Sequence, residues 1–140
     1  MIVVDTSVLY ALLDVNDQRH RQAASWYRDS DDELATTPMV LAEVDHLAAA
    51  RAGRRAVEAF RDDAASGAYA VEWWGSATAE SVEVAQRYQD LGASLTDASL
   101  VVLAARLDTL AVATFDERHF RAMRPVRGGP AFRLLPLDPL

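Results

Sequence analysis

Four acidic residues in this sequence stand where a carboxylate is costly unless a cation meets it. They are Asp5, Glu43, Asp97 and Asp116. Burying an isolated carboxylate costs several kcal/mol, and four acids brought together repel one another and raise one another's pKa. Four such carboxylates can all remain ionised only if they surround a metal ion. Because the ligands are all oxygen, the pattern predicts a centre for Mg²⁺ or Mn²⁺.

Two of the acids follow predicted strands. Asp5 comes directly after the apolar run at 2–4, and Asp116 follows the run at 110–114 with one spacer, Phe115. The carboxyl ends of parallel strands meet at one edge of a sheet, where ligand sites form. We therefore expect Asp5 and Asp116 to leave the same edge.

The other two acids interrupt apolar helix faces. Glu43 lies between Val40 and Val44 in the third predicted helix. Asp97 begins the sixth, just after Thr96 as its predicted cap, and apolar residues follow it at three- and four-residue spacing. Both helices are thus predicted to present a carboxylate toward the sheet.

A purely structural explanation exists for most of these acids. Asp5, Asp97 and Asp116 each stand at a predicted helix start, where a carboxylate caps backbone N–H groups and favours the positive end of the helix dipole. Glu43 has no comparable explanation unless an arginine such as Arg51 pairs with it. The joint pattern, more than any single acid, favours a functional site.

Short β-branched runs alternate with helical periods along the chain. Strands are predicted at 2–4, 34–36, 69–74, 110–114 and 131–135. Helices are predicted from residue 5 onward and at 16–28, 38–51, 54–65, 76–90, 97–107 and 116–123. This alternation predicts one α/β domain over 1–140, a three-layer α/β/α sandwich with a mainly parallel central sheet. Prolines bracket the last strand and predict that it lies at an edge.

Composition narrows the classes of protein and of site. Half of the 140 residues are apolar (51%) and a quarter charged (25%), which is typical of a globular domain. The absence of cysteine excludes disulfides and thiolate metal sites, and the histidines His20, His46 and His119 show no ligand spacing. No apolar stretch approaches the roughly 20 residues that cross a bilayer, and no basic leader precedes Asp5. We therefore expect a cytoplasmic protein without a membrane span.

The net charge of the chain is unfavourable for binding a nucleic acid. The formal charge is −7, whereas polyanion binding normally draws on a positive field. The objection weakens if four of the acids are gathered around bound cations. Candidate contacts to an RNA backbone are Arg51, Arg54, Arg55, Arg118, Arg121, Arg124 and Arg127, each of which could equally lie on a solvated helix face.

Four sequence blocks carry a family resemblance. They are IVVDTSVL at 2–9, LAEV at 41–44, LTDASL at 95–100 and ATFDERHF at 113–120. In their order and spacing they resemble the PIN domain, and within it the VapC-type toxins of bacterial toxin–antitoxin pairs. The blocks extend over nearly the whole chain.

The resemblance implies a function and a set of roles. Asp5, Glu43, Asp97 and Asp116 would be metal ligands, supported by the hydroxyls of Ser7 and Thr114. The activity would be Mg²⁺- or Mn²⁺-dependent endoribonuclease chemistry, in which metal-activated water cleaves RNA and so inhibits translation and growth. A homodimer and a small VapB-like antitoxin are the implied partners.

Two other functions remain open at the level of sequence. A phosphotransfer domain that forms an aspartyl-phosphate also places an acid after its first strand. However, this chain has no lysine, and Ser7 stands where the phosphatase pattern needs a second aspartate. The other alternative is a non-catalytic α/β interaction module whose acids only cap helices.

Overall fold

The computed structural model describes residues 1–139, in which strands and helices alternate. The strands of this part of the chain are β1 (Ile2–Val4), β2 (Leu34–Thr36), β3 (Ala70–Val71), β4 (Ala111–Ala113) and β5 (Arg133–Leu135). Its α-helices are α1 (Thr6–Leu13), α2 (His20–Asp29), α3 (Pro38–Arg51), α4 (Arg54–Ser66), α5 (Ala77–Arg87), α6 (Leu95–Arg106) and α7 (Glu117–Ala122). A 3₁₀ turn, Gln89–Leu91, lies in the connection between α5 and α6.

The strands form one sheet in the order β3-β2-β1-β4-β5, and every pairing is parallel. Val3 and Val4 point to opposite faces of the central strand, and both side chains are fully buried. Helices must therefore cover both faces of the sheet. The predicted parallel α/β architecture and the edge position of the last strand are confirmed.

Several element boundaries differ from the predictions by one to four residues, and three of them are instructive. The third strand is confined to Ala70–Val71. The Glu72 N–H still donates to the Thr36 carbonyl at 3.1 Å, and beyond it Trp74 lies under the Arg106 guanidinium at 4.6 Å. The predicted helix at 16–28 begins at His20, after a turn in which the Asp17 N–H donates to the Asp14 carbonyl. Sequence patterns miss such boundaries because local hydrogen bonds and packing set them.

The sixth helix shows the third difference. It begins at Leu95 with Ser94 as its N-cap, whereas the sequence predicted Thr96. The Ser94 hydroxyl accepts from the Asp97 N–H, and the Asp97 carboxylate accepts from the Ser94 N–H, which is a capping box. Asp97 consequently occupies the third position of the helix with a fixed side chain.

The sheet brings two polar segments together. Val4 pairs with Ala113 at the carboxyl ends of β1 and β4, so the chain leaves both strands side by side. The Asp5 N–H extends this ladder by donating to the Ala113 carbonyl at 2.9 Å. No helix within residues 1–139 is both long enough and apolar enough to span a membrane.

Candidate metal centre

The Asp5 carboxylate is buried at the carboxyl end of β1, with 5% of the residue exposed. Its Oδ2 atom accepts hydrogen bonds from the hydroxyls of Ser7 at 2.9 Å and Thr114 at 2.8 Å. Asp5 is the N-cap residue of α1, yet its side chain makes no capping hydrogen bond. Helix capping therefore does not explain this carboxylate.

The two hydroxyls connect Asp5 to the segment after β4. Ser7 accepts a hydrogen bond from the Phe115 N–H, and Thr114 accepts one from the Asp116 N–H, both at 2.9 Å. Each hydroxyl has a single proton, which it donates to Asp5, so its lone pairs remain for these amides. The position of Asp5 is thereby coupled to the backbone that carries Asp116.

Burial disfavours the charged form of Asp5. The pKa of Asp5 is raised to about 6: loss of solvent is the main cause, hydrogen bonds from Thr114 and Ser7 act in the opposite direction, and the negative charge of Asp97 adds to the rise. A cation near Asp5 would relieve both of the unfavourable effects. The carboxylate is thus in surroundings that favour positive charge beside it.

Asp97, Asp116 and His119 form a compact cluster of potential ligands. One atom from each residue lies within 4.8 Å of the other two. The His119 Nδ1 atom is 3.1 Å from Oδ2 of Asp97 and 2.9 Å from Oδ2 of Asp116. Asp97 and His119 are largely buried, and Asp116 is about one-third exposed. The cluster therefore opens to solvent on the side of Asp116.

Helix capping accounts for part of this cluster. Asp97 belongs to the capping box of α6, and Oδ1 of Asp116 accepts from the His119 N–H at the start of α7. The structural explanation for these two acids is thus correct as far as it goes. It leaves Oδ2 of Asp116 and the His119 imidazole unexplained, because neither serves a cap.

His119 lies beside two of the predicted ligands, although no histidine was expected at the site from spacing among the histidines. It stands three residues after Asp116 and faces it across one helical turn. Although Nδ1 is buried and close to two carboxylates, it makes no hydrogen bond within residues 1–139. The signal that could have found it is the pairing of an acid and a histidine at helical spacing.

A model of the PIN domain matches residues 2–124. The chain belongs to the PIN domain family. Ribonuclease VapC26 of Mycobacterium tuberculosis is 37% identical over 136 residues, which cover 96% of this chain and 100% of the relative. The similarity therefore extends along the full length of that PIN domain.

Solved structures agree with this assignment. The crystal structure of Mycobacterium tuberculosis VapC20, described as a sarcin–ricin loop cleaving toxin, superposes with a TM-score of 0.80 at 25% identity, covering 90% of this chain and 98% of that one. FitAcB from Neisseria gonorrhoeae superposes with a TM-score of 0.63 at 16% identity over 87% of this chain and 92% of that one, and shows the shared fold.

The donor set of this PIN domain suits a divalent cation. Asp5 lies in surroundings that disfavour its own charge, and His119 has a buried nitrogen without a hydrogen-bond partner in the described chain. A cation held by Asp97, Asp116 and His119 would give the His119 nitrogen a partner, and its positive charge would offset the negative charge of Asp97, which raises the pKa of Asp5. Asp5 itself lies outside this cluster in residues 1–139. Carboxylate oxygens and imidazole nitrogen are ordinary ligands of divalent metals.

Glu43 lies at the border of this arrangement. The buried stripe of α3 consists of Val40, Val44 and Ala48, and Glu43 stands beside it with an exposed side chain. The prediction that Glu43 interrupts a buried face was therefore wrong in its burial, because the helix is rotated by a fraction of a turn. Glu43 also lies outside the cluster formed by Asp97, Asp116 and His119 in residues 1–139.

The predicted nucleic-acid contacts differ in how free their guanidinium groups are. Arg54 pairs with Glu58 at 2.9 Å, and Arg121 binds Glu117 and Asp138 at 3.1 and 2.6 Å. The pairs reduce the availability of these side chains to a phosphate. The exposed arginines of the predicted set are Arg51, Arg54, Arg55, Arg118, Arg121, Arg124 and Arg127.

One cation near the centre was missed by the sequence analysis. Arg19, in the turn between α1 and α2, places its guanidinium carbon 5.0 Å from the ring centre of Phe115. Arg19 is exposed, and its guanidinium donates a hydrogen bond to Gln22 Oε1 at 3.3 Å. Because Phe115 immediately precedes Asp116, Arg19 is a candidate phosphate contact at the rim of the centre.

Proposed function

We propose that this PIN domain is a Mg²⁺- or Mn²⁺-dependent endoribonuclease that acts as the toxin of a toxin–antitoxin pair. The observation that carries the proposal is the cluster of Asp97, Asp116 and His119 in a chain that resembles a ribonuclease throughout its length. The buried Asp5 lies outside that cluster but close enough to Asp97 for its charge to raise the pKa of Asp5. Residues 1–140 would form a single nuclease domain.

Each proposed ligand has a defined support. Asp5, Asp97 and Asp116 would hold the cation, with Glu43 as an outer member and Ser7 and Thr114 orienting Asp5. A bound divalent ion supplies an activated water and stabilises charge that develops on the phosphate. The hydroxyl network fixes Asp5 relative to Asp116, and the capping box fixes Asp97. The chain thereby orients its acids before RNA arrives.

Conservative amide variants test the site. Asp5→Asn and Asp97→Asn keep the size of each side chain but remove the charge, so each should reduce RNA cleavage by roughly 10²-fold or more, the scale of one lost electrostatic contact to a transition state. Asp62→Asn, an exposed position on α4, is the matched control. Near wild-type cleavage in both site variants, with native circular dichroism, would exclude this centre.

The RNA target follows from the proposed role. We expect growth inhibition on expression, and cleavage at one or few sites in a structured RNA of the translation machinery in the cytoplasm. Mapping new RNA 5′ ends across the transcriptome would identify the target. Indiscriminate degradation of messenger RNA would contradict this expectation.

A toxin of this kind needs a partner that restrains it. We propose a homodimer inhibited by a small VapB-like antitoxin, with the exposed aromatics Tyr27 and Trp73 as candidate anchors. Two further aromatics, Trp26 and Trp74, are partly buried against the core and are weaker candidates. An antitoxin arginine entering the acidic centre would replace the charge of the metal. A basic antitoxin peptide should then inhibit in competition with Mg²⁺, and bind the Asp5→Asn/Asp97→Asn protein weakly.

A non-catalytic interaction module is the second candidate, because Asp97 and Asp116 do cap helices. This candidate leaves Asp5 unexplained, because the Asp5 side chain caps no helix. Metal-dependent cleavage by the purified chain separates the two functions. An aspartyl-phosphate domain ranks lower, since the sequence has no lysine.

A further inference from the structure

We infer that His119 is a nitrogen ligand of the metal centre, which makes the site a mixed nitrogen–oxygen site that prefers Mn²⁺ to Mg²⁺. The inference rests on the proposed metal-dependent function. It departs from the sequence-based expectation of an all-oxygen centre, in which Mg²⁺ and Mn²⁺ would be equivalent occupants.

The distances around Nδ1 fit coordination. In an octahedral site with metal–ligand bonds of about 2.1 Å, adjacent ligand atoms lie about 3.0 Å apart. The Nδ1 atom of His119 is 3.1 Å from Asp97 Oδ2 and 2.9 Å from Asp116 Oδ2. The three atoms thus have the separation expected for neighbouring positions around one ion.

A simple hydrogen-bonding role accounts less well for the imidazole. At 2.9 and 3.1 Å both carboxylates are within reach, yet Nδ1 is aligned with neither and is buried without a hydrogen-bond partner in residues 1–139. Burying an unpaired polar atom costs about 1–3 kcal/mol, so a fold retains one mainly where a ligand meets it. A cation shared by Nδ1, Asp97 and Asp116 would supply that contact.

The first turn of α7 restricts the position of His119. Its own N–H donates to Asp116 Oδ1 at 3.1 Å, so the same aspartate caps α7 with one oxygen and faces the imidazole with the other. The next residue, Phe120, is fully buried and anchors the helix. Nδ1 is therefore presented to the centre by the capped first turn of α7.

Metal preference follows from the ligand type. Mg²⁺ takes oxygen ligands and retains several waters, whereas transition-series divalent ions accept imidazole nitrogen more readily. A single nitrogen among carboxylates should therefore favour Mn²⁺ over Mg²⁺. Replacing it by oxygen should remove that preference without emptying the site.

The test is pulsed electron paramagnetic resonance of Mn²⁺ added to the purified chain. Directly bound imidazole should give nitrogen modulation of the spin echo in wild type and in His46→Asn, an exposed histidine on α3. The modulation should disappear in His119→Asn, whose amide can place an oxygen where histidine has Nδ1. By calorimetry, the affinity for Mn²⁺ should fall at least about tenfold, the lower end of the effect of partners that merely orient ligands. The affinity for Mg²⁺ should fall less, so the Mn²⁺-over-Mg²⁺ affinity ratio decreases.

The possible outcomes separate the inference from the proposed function. Tight Mn²⁺ binding without nitrogen modulation in wild type, or modulation that persists in His119→Asn, would overturn the role of His119 while leaving a metal-dependent nuclease in place. Failure of wild type to bind Mn²⁺ or Mg²⁺ would overturn both. The wild-type spectrum tests the ligand by itself, so the inference remains testable even if His119→Asn folds poorly.

Discussion

At the scale of single residues, Asp5 shows how burial and hydrogen bonding oppose each other. Burial and the nearby charge of Asp97 raise the pKa of Asp5 to about 6, even though two hydroxyls stabilise the anion. The folded protein therefore binds a proton at Asp5 more readily than the unfolded chain, whose aspartate has an ordinary pKa near 3.8. Stability consequently falls as pH rises between these two values.

Removing the charge of Asp5 should stabilise the metal-free protein. The rise in pKa from 3.8 to about 6 corresponds to a penalty of about 3 kcal/mol that is full above pH 6 and absent below pH 3.8. Ser7 and Thr114 donate to the same oxygen, so the amide oxygen of Asp5→Asn can accept both bonds. In a chelator, urea unfolding should show Asp5→Asn more stable than wild type at pH 8.

The pH dependence provides the control for this prediction. The advantage of Asp5→Asn should decrease as pH falls from 6 toward 3.8, whereas Asp62→Asn should track wild type throughout. An advantage that is independent of pH would indicate that packing, and not the charge of Asp5, causes the difference.

The residues that the sequence could and could not predict differ in a physical way. Asp5 and Asp116 were predictable because a strand end fixes where its next residues go, and Asp97 because it begins an apolar helix. The three-residue spacing of Asp116 and His119 could have placed these two side chains together, but the approach of His119 to Asp97 depends on the distance between α6 and α7, which no local pattern encodes. Glu43 was predicted to be buried, but helical periodicity does not fix rotation precisely enough to separate a buried position from its neighbour.

At the scale of elements, short caps at helix starts hold the acids in place. Ser94 and Asp97 exchange hydrogen bonds at the start of α6, so the cap and the proposed ligand are one structure. The Thr96 side chain, although predicted as the cap, is not the capping group. This difference between Ser94 and Thr96 can be measured.

Ser94→Ala should destabilise the protein by about 1 kcal/mol, the usual effect of losing an N-cap hydroxyl. Thr96→Ala, the matched control, should cost less because α6 keeps its capping box. Urea unfolding at constant pH measures both. Equal losses in the two variants would contradict the observed helix start.

Arg19 is a second element-level feature, because the α1–α2 turn holds it against Phe115. If its guanidinium contacts a phosphate, Arg19→Gln, made in an inactive Asp97→Asn protein, should weaken the binding of RNA. The slope of log K against log salt concentration should fall in magnitude by about one. Arg21→Gln removes the same charge two residues away and serves as control. The same salt slope for all three proteins would exclude a phosphate contact at Arg19.

At the scale of the whole molecule, the net charge of −7 is unfavourable for RNA binding unless cations occupy the acidic centre. Ligands that bind only the folded state raise its melting temperature by mass action. Mg²⁺ or Mn²⁺ should therefore raise the melting temperature of wild type, but not that of Asp5→Asn/Asp97→Asn. Calorimetric scans at fixed ionic strength measure this, and equal shifts in both proteins would locate the ion elsewhere.

The sheet order has a consequence for the dynamics of the chain. The strands β1 and β4, which Asp5 and Asp116 follow, lie inside the sheet. In contrast, β3 is a two-residue strand at the edge of the sheet, and both of its residues are exposed. Amide protons of β1 and β4 should exchange with deuterium only when the whole domain unfolds, while those of β3 should exchange through local opening. The carboxyl ends of β1 and β4, which position Asp5 and Asp116, would then keep their geometry while the outer strand β3 fluctuates.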